Sequence, residues 1–442
     1  MSEETKPLCI IRAPVATRSG YGDMSRDIVR HIIEWDKFDV RVHSVPWGDT
    51  PMNALDESDP KDKMITDRIL KESVNKQPEL FIVISVPNEF QPLGKYNIGI
   101  TAGIETTAAS AQWIEGCNRM NLVLTISEHS KRVLENSKWG FNKPDGSQGV
   151  LELQKPIEVL HNCIDTKIFG KNAPSDTEIT KTLNAIDEDF CYLFVGHWLK
   201  GDFGEDRKNV SFLIKIFLET FKQVKGQKLP ALILKTSSAG FSILDREDIL
   251  NKIQQLKNSV KLEPGQTLPS IYLLHGELTD KQMNTLYNHS KVKVHVSFTK
   301  GEGFGRPLLE ASVSGKPVIA SGWSGHVDFL NKDEALLVGG ELKNVHESAA
   351  WENVIMTEAQ WFSPNPQHCA DAFGATFTDY SKFKNLAYDL ALRNRKDFSY
   401  EVIRKKTAEI LDKYVPEFPK EVAIQLPKLK KVELPKLKKV EQ

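Results

Sequence analysis

The stretch SFTKGEGFGRPLLEASVSGKPVIASGWSGHVDFL, residues 297–330, decides the fold. It reads as the end of a strand, a glycine-rich loop, a helix, a glycine and a second strand. The preceding run KVKVHVSF (Lys291–Phe298) has the pattern of a buried strand. Gly301, Gly303 and Gly305 allow the backbone to approach a ligand closely, because no Cβ stands in the way. Pro307 suits a first helical turn, Leu308, Leu309 and Val313 give an apolar face, and Gly315 falls where such a helix ends. Pro317–Ala320 reads as the next strand. This unit sets a helix N-terminus, with free N–H groups and the positive end of its dipole, over the carboxyl edge of a parallel sheet. Ligands of doubly wound sheets bind at that edge. Glu302 is expected in the loop and Glu310 in the first helical turn, both facing one ligand. Carboxylates suit sugar hydroxyls, whose hydrogen bonds they accept in fixed directions.

Outward from this segment the same alternation repeats. In the first half, Leu8–Ala13, the Phe38–Val42 run, Leu80–Val86, Asn97–Ala102, Leu122–Ile126 and Ile157–Leu160 read as strands. The turn at Ser19–Gly22 precedes a helical pattern through Met24, Ile28 and Ile32, and Ser127 reads as a helix cap. In the second half, Phe190–Gly196, Ala231–Ser237 and Ser270–Gly276 are strands. Helices are expected from near Asn209, from near Asp245 and after Thr279, which forms a capping box with Gln282. Two further helical patterns lie near Tyr380–Arg393 and Glu401–Tyr414. Strands alternating with helices imply right-handed βαβ units and parallel sheets, here in two domains. The expected division is 1–180, 181–395, a closing helix at 396–415 and a tail at 416–442, with the boundary in the polar, loop-like stretch Ala173–Asp189. The tail repeats LPKLKKVE at Leu426–Glu433 and Leu434–Glu441 and is expected to be solvated and disordered. Its lysines also suit an anionic polymer or surface.

Bulk composition agrees with a globular protein of two domains: 442 residues, 40% hydrophobic and 26% charged. With 58 basic and 59 acidic residues, no global field points to nucleic acid or to an anionic membrane. The five cysteines are scattered, odd in number and form no C-x-x-C pair, so buried thiols in a reducing, cytoplasmic setting are expected. No apolar run approaches the roughly 20 residues of a membrane span.

The stretch EGFGRPLLEASVSGKPVIAS (Glu302–Ser321) resembles the E-x7-E signature of retaining GT-B glycosyltransferases of group 1. HNCIDTKIF (His161–Phe169), TISEHSKRVLENS (from Thr125) and the block around LTDKQMNTLYNHSKVKVHVS (from Leu278) are similar to other segments of that family. The resemblance spans about residues 8–395. It implies an α/β fold of two Rossmann-like doubly wound domains facing a cleft, with C-terminal helices packing back on the first domain.

It also implies transfer of a hexosyl or pentosyl group from a nucleoside-diphosphate sugar to an acceptor hydroxyl, with retention. The donor sugar is a substrate, UDP being expected rather than GDP, and no metal or further cofactor is called for. The implied roles place Glu302 near the donor sugar, Glu310 on the ribose hydroxyls and Lys208 on the diphosphate; Arg207 stands beside Lys208 as a further candidate, with a solvated helix start as its alternative reading. Backbone amides of Gly303, Phe304 and Gly305 would contact sugar or diphosphate, and Ser321–Ser324 would line the nucleotide edge. The family's arginine on the first loop is replaced by His197, which leaves the cation partner open. Lys235, at a strand end, is a second candidate cation. From the first domain, Gly20, Tyr21 and Gly22 face the cleft, and Glu105, beside Thr106, is expected on the acceptor side. The acceptor stays open among glycan, lipid, protein and modified DNA base. Rival readings are a sugar-nucleotide epimerase, a dinucleotide oxidoreductase, whose third glycine is absent at Ser25, and a non-catalytic sugar-binding scaffold.

Overall fold

Short apolar runs become strands buried on both faces; all five side chains of LFIVI at Leu80–Ile84 are buried. The structure is a computed structural model and describes residues 6–72, 74–222, 228–238 and 240–418. The lysine-rich repeats lie outside the described residues.

The first half contains strands β1 (Leu8–Ala13), β2 (Asp39–Ser44), β3 (Leu80–Ile84), β4 (Tyr96–Thr101) and β5 (Leu122–Thr125). Helices α1 (Gly20–Trp35), α2 (Pro60–Thr66), α3 (Ala111–Asn118) and α4 (Glu128–Asn136) connect or flank them. A hairpin of β6 (Trp139–Asn142) and β7 (Gln148–Leu151) precedes β8 (Ile157–Val159). The second half begins after α5 (Thr177–Asn184) and holds β9 (Cys191–Val195), α6 (Val210–Phe221), β10 (Ala231–Lys235), α7 (Ile243–Asn258), β11 (Ile271–Leu274) and α8 (Asp280–Asn288). Then follow β12 (Val292–Ser297), α9 (Arg306–Ser312), β13 (Val318–Ser321) and β14 (Leu336–Val338). An antiparallel hairpin of β15 (Gly340–Asn344) and β16 (Gln360–Pro364) leads to α10 (Pro366–Thr378), α11 (Tyr380–Asp397) and α12 (Tyr400–Tyr414).

Two six-stranded parallel sheets result, ordered β2-β1-β3-β4-β5-β8 and β11-β10-β9-β12-β13-β14. In the second, the chain winds outward from β9 through β10 to β11, then returns to the other side of β9 as β12. Its switch point therefore lies between β9 and β12, where a crevice opens at the carboxyl ends of the strands. In the first sheet the switch lies between β1 and β3. The fold class expected from sequence is thus the one observed.

Of the C-terminal helices, α12 returns to the first domain, whereas α10 packs on α6 and α11 on α9 of the second. His31 Nδ1 on α1 lies 3.1 Å from Thr407 Oγ1 on α12, Trp35 Nε1 donates to Asp412 at 2.9 Å, and Tyr414 donates to Glu158 at 2.6 Å. One expectation fails locally. The polar stretch Ala173–Asp189 is not all loop, because Thr177–Asn184 is helix α5. Asp176 caps it through the amides of Glu178 and Ile179, and Ile179 and Leu183, one turn apart, are its buried face. All five cysteines are free and buried. Among the described residues, no helix is long and apolar enough to cross a membrane.

Candidate functional site

Two loops frame the β9/β12 crevice. The first runs from Gly196 to Asn209, and the second from Phe298 to Gly305. Gly201 turns the first loop at φ +142°; a Cβ there would stand 2.6 Å from the backbone of Asp206. That close fold lets the buried Asp206 carboxylate cap α6 by accepting from Val210 N at 3.0 Å. Arg207 and Lys208, between the turn and the helix, are thereby aimed into the crevice. The second loop fixes them, since Lys300 N donates to Arg207 O at 2.8 Å.

Four of the expected site residues meet there. Lys208 Nζ lies 2.5 Å from Glu302 Oε1. Arg207 Nη1 lies 3.6 Å from Glu302 Oε2, 3.5 Å from Glu105 Oε1 and 3.2 Å from the Gly301 carbonyl. Burial alone would push the Glu302 carboxyl up, yet Lys208 and Arg207 hold it at about 2. Burial pulls the Lys208 ammonium down, against the opposing pull of Glu302. Arg207 is carried above its ordinary value by Glu105 and Glu302 despite its burial. The cluster therefore holds an ionised carboxylate at neutral pH.

The loop's shape is built from the segment after β13. Ser324 adopts φ +81°, uncommon for a residue with a side chain, and its hydroxyl accepts from Glu302 N at 2.9 Å. Gly325 N donates to Glu302 O at 2.9 Å. Ser321, expected to line the nucleotide edge, is instead fully buried and donates to Thr299 O at 2.6 Å, so its side chain braces the loop. Phe304 is likewise a core residue, packed on Phe329, Phe398 and His161. Only its backbone remains for a ligand.

Glycine allows the two domains to touch at this loop. A Cβ on Gly301 would lie 1.9 Å from the Glu105 carbonyl oxygen, and one on Gly303 would lie 2.2 Å from that of Ala102. On the first-domain side, Ser19 caps α1 by accepting from Gly22 N at 3.0 Å. A Cβ on Gly22 would meet Thr17 O at 2.1 Å, so this glycine serves tight packing, whereas Gly20 is unobstructed. Tyr21 stacks on Trp47, and its hydroxyl bonds Thr101 at 3.0 Å and accepts from Ala102 N at 3.1 Å. It ties the start of α1 to the end of β4 beside Glu105.

Glu310 looks another way. Gly305 begins α9 at φ +91°, which puts Glu310 at the fifth helical position, past the first turn expected for it. Its carboxyl accepts from Tyr287 Oη at 3.1 Å and Arg306 Nε at 3.2 Å. Arg306 also reaches Asp27 of α1 at 2.8 Å, an ion pair across the domains. Neither Asp27, Arg306 nor Tyr287 was expected at the site. Burial, with Asp280 and Asp23 nearby, lifts the Glu310 carboxyl to about 7 against the pull of Arg306. A carboxyl raised from 4.5 to about 7 on folding favours the fold fully below pH 4.5 and loses that contribution as pH rises through 7. At roughly 1.36 kcal/mol per pKa unit the full term is about 3 kcal/mol. Glu310→Gln is therefore expected to lose less Tm between pH 5 and pH 8 than the wild type. Parallel Tm profiles from calorimetry would show Glu310 already ionised in the fold.

Desolvation in the loop, with Lys208 and Lys235 nearby, lowers the imidazole of His197, whose Nδ1 lies 3.0 Å from the Ser238 carbonyl although the residue is exposed. Lys235, at the end of β10, is lowered to about 8 by burial, opposed by Glu277, and stands 5.8 Å from the Phe241 ring. Lys208 and Arg207 are the crevice's basic side chains on the first loop, and Lys235 is the one at the end of β10. Among the described residues, no group of three or more His, Cys, Asp or Glu side chains is arranged to hold a metal ion.

Residues 205–355 match the family model described as glycosyl transferases group 1. That span holds Arg207, Lys208, Lys235, Glu302 and Glu310. No curated protein matches the chain. Among solved structures, a sucrose-phosphate synthase from Thermosynechococcus elongatus aligns at TM-score 0.60 and 14% identity, covering 92% of this chain and 98% of its own. A glycosyltransferase from Rickettsia africae aligns at 0.59 and 13%, covering 93% and 99%. Alr3699/HepE from Anabaena, solved with UDP-glucose, aligns at 0.55 and 14%, covering 92% and 100%. At these identities the likeness establishes the fold, the GT-B arrangement of two facing Rossmann-like domains.

Proposed function

We propose that this chain is a group 1 glycosyltransferase that moves a hexosyl or pentosyl group from a nucleoside-diphosphate sugar to an acceptor hydroxyl, with retention and without a metal. The observation that carries the reading is the meeting of Lys208, Arg207, Glu302 and Glu105 at the switch-point crevice, within or against the stretch that matches the family model. UDP is the favoured nucleotide, in keeping with the UDP-glucose held by the Anabaena neighbour. Five buried free thiols fit work in a reducing cytoplasm.

In the reaction, the bond between the anomeric carbon and the β-phosphate oxygen breaks, and the acceptor oxygen bonds that carbon on the same face. The departing phosphate oxygen takes the acceptor proton. Negative charge grows on the diphosphate, and Lys208, Arg207 and Lys235 are the cations set to stabilise it. Glu302 holds Lys208 in place and, being ionised, faces the positive charge that grows on the sugar. Glu310 and Tyr287 offer polar atoms to the ribose hydroxyls.

Donor binding should show as thermal stabilisation. A nucleotide at 100 times its Kd adds about 2.7 kcal/mol. UDP or a UDP-sugar is expected to raise Tm by several degrees, and GDP or a GDP-sugar by less. No shift with any of the four would refute the donor site. Release of a 2-epimer with no acceptor present would favour an epimerase instead.

A further inference from the structure

A second cavity opens at the far side of the catalytic cluster. It has a volume of about 980 Å³, begins at Glu105 and Arg207, and runs along α7 from Asp248 to the helix's C-cap, Ser259. At 1.5 Å rise per residue those two positions are roughly 16 Å apart. We infer that this groove is the acceptor subsite and that it takes a saccharide chain. The inference rests on the glycosyl-transfer reading and adds the substrate class on the acceptor side.

Three aromatic rings line the groove. Trp198 lies buried, with Lys252 Nζ 5.6 Å from its ring centre. Phe203 and Trp351 are each 57% exposed within the same cavity. Exposed aromatic side chains are ordinary when scattered singly, but here two share one groove with a third. Neither loop that carries them is loose. Trp351 N donates to Ile355 O at 2.9 Å and Ile355 N returns a bond to Trp351 O at 2.8 Å. The turn between them has Asn353 at φ +60°, and its carbonyl accepts from Ser110 of the first domain at 3.1 Å. The Phe203 loop is clasped to the Trp351 loop by Lys200 Nζ on the Ala350 carbonyl and by Asp202 N on Ser348 Oγ at 2.9 Å. Fixed rings of this kind lose little entropy when a ligand settles on them.

The polar side chains decide the ligand class. A pyranose has an apolar C–H face and a rim of hydroxyls. The C–H face carries partial positive charge and packs on the negative face of an aromatic ring. The rim needs donors and acceptors along its length, and Asp248, Lys252, Gln255 and Ser259 supply both. A hydrocarbon tail would cover the half-exposed Asp248–Lys252 ion pair and strip it of water without offering it any hydrogen bond. A nucleoside diphosphate finds no net positive field here, since the carboxylates of Glu105, Asp202 and Asp248 line the groove beside Lys200, Arg207 and Lys252. The groove's end at Glu105 and Arg207 would deliver a terminal sugar hydroxyl to the reacting carbon. The donor would then enter from the Lys208 and Lys235 side.

The test uses the full chain on an immobilised glycan array, beside calorimetric titration with UDP. The wild type is expected to bind at least one glycan class. Trp351→Ala and Phe203→Ala should weaken that binding at least tenfold while leaving the UDP Kd within twofold, and Trp351→Phe should largely restore it. A wild type that binds UDP but no glycan overturns the inference. So do alanine variants that bind glycan like the wild type, or binding to phosphatidylglycerol vesicles in place of glycans. A wild type that fails to bind UDP counts against the donor reading itself.

Discussion

Lys208→Ala is expected to lower kcat by about 10²–10³, the scale for removing one preorganised group that stabilises developing charge. The ammonium sits at the switch-point crevice, 2.5 Å from a carboxylate that fixes its position. In the proposed reaction the leaving diphosphate gains charge beside that ammonium. A stability effect accompanies the catalytic one, because Glu302 is then buried with Arg207 as its remaining cation, at 3.6 Å. Breaking one side of a buried pair costs about 3–5 kcal/mol. The two effects separate in the double variant. Lys208→Ala with Glu302→Gln should recover much of the lost Tm and none of the lost kcat. A single variant that turns over within threefold of the wild type would remove Lys208 from the diphosphate site.

Gly303→Ala should have an effect of similar size by another route. Its Cβ would stand 2.2 Å from the Ala102 carbonyl oxygen, where 3.4 Å is ordinary contact. Tyr21 holds Ala102 from the first domain, and Ser324 and Gly325 hold the loop from the second. Relief therefore requires the two domains to part by about 1 Å. Misplacement on that scale costs roughly 10²-fold in rate. The UDP contacts proposed on the second domain should persist, so kcat falls while the UDP Kd changes by less than about threefold. Unchanged kcat would mean that domain contact at this loop is dispensable for the reaction.

The site's frame was legible because its geometry is local. Gly301–Gly305, Pro307 and Gly315 specify a loop, a helix and its end within twenty residues, and the capping box of Thr279 and Gln282 forms as its spacing implies. What escaped reading was set at long range. Asp27 and Arg306 are 279 positions apart and meet only because the domains face each other. Ser321 looks like any cleft serine until β13 places it under Thr299. Glu310 slips past the first turn because the left-handed Gly305 fixes where α9 begins. Helix α5 was legible in principle: Asp176 is a cap, and Ile179 and Leu183 stand four apart. Its polar composition outweighed that weak pattern. The groove along α7 has no linear signature at all, since Phe203 and Trp351 come from loops far apart in the chain.

The most direct test of the central claim follows the anomeric proton by NMR as the wild type consumes UDP-α-glucose, UDP-α-galactose and UDP-α-N-acetylglucosamine, with water as the acceptor. Release of UDP from at least one donor is expected, with the α-anomer of the sugar appearing first and the β-anomer only later by mutarotation. First appearance of the β-anomer would contradict retention, and failure to cleave any of the three would contradict the placement of the UDP-sugar donor at Lys208 and Glu302.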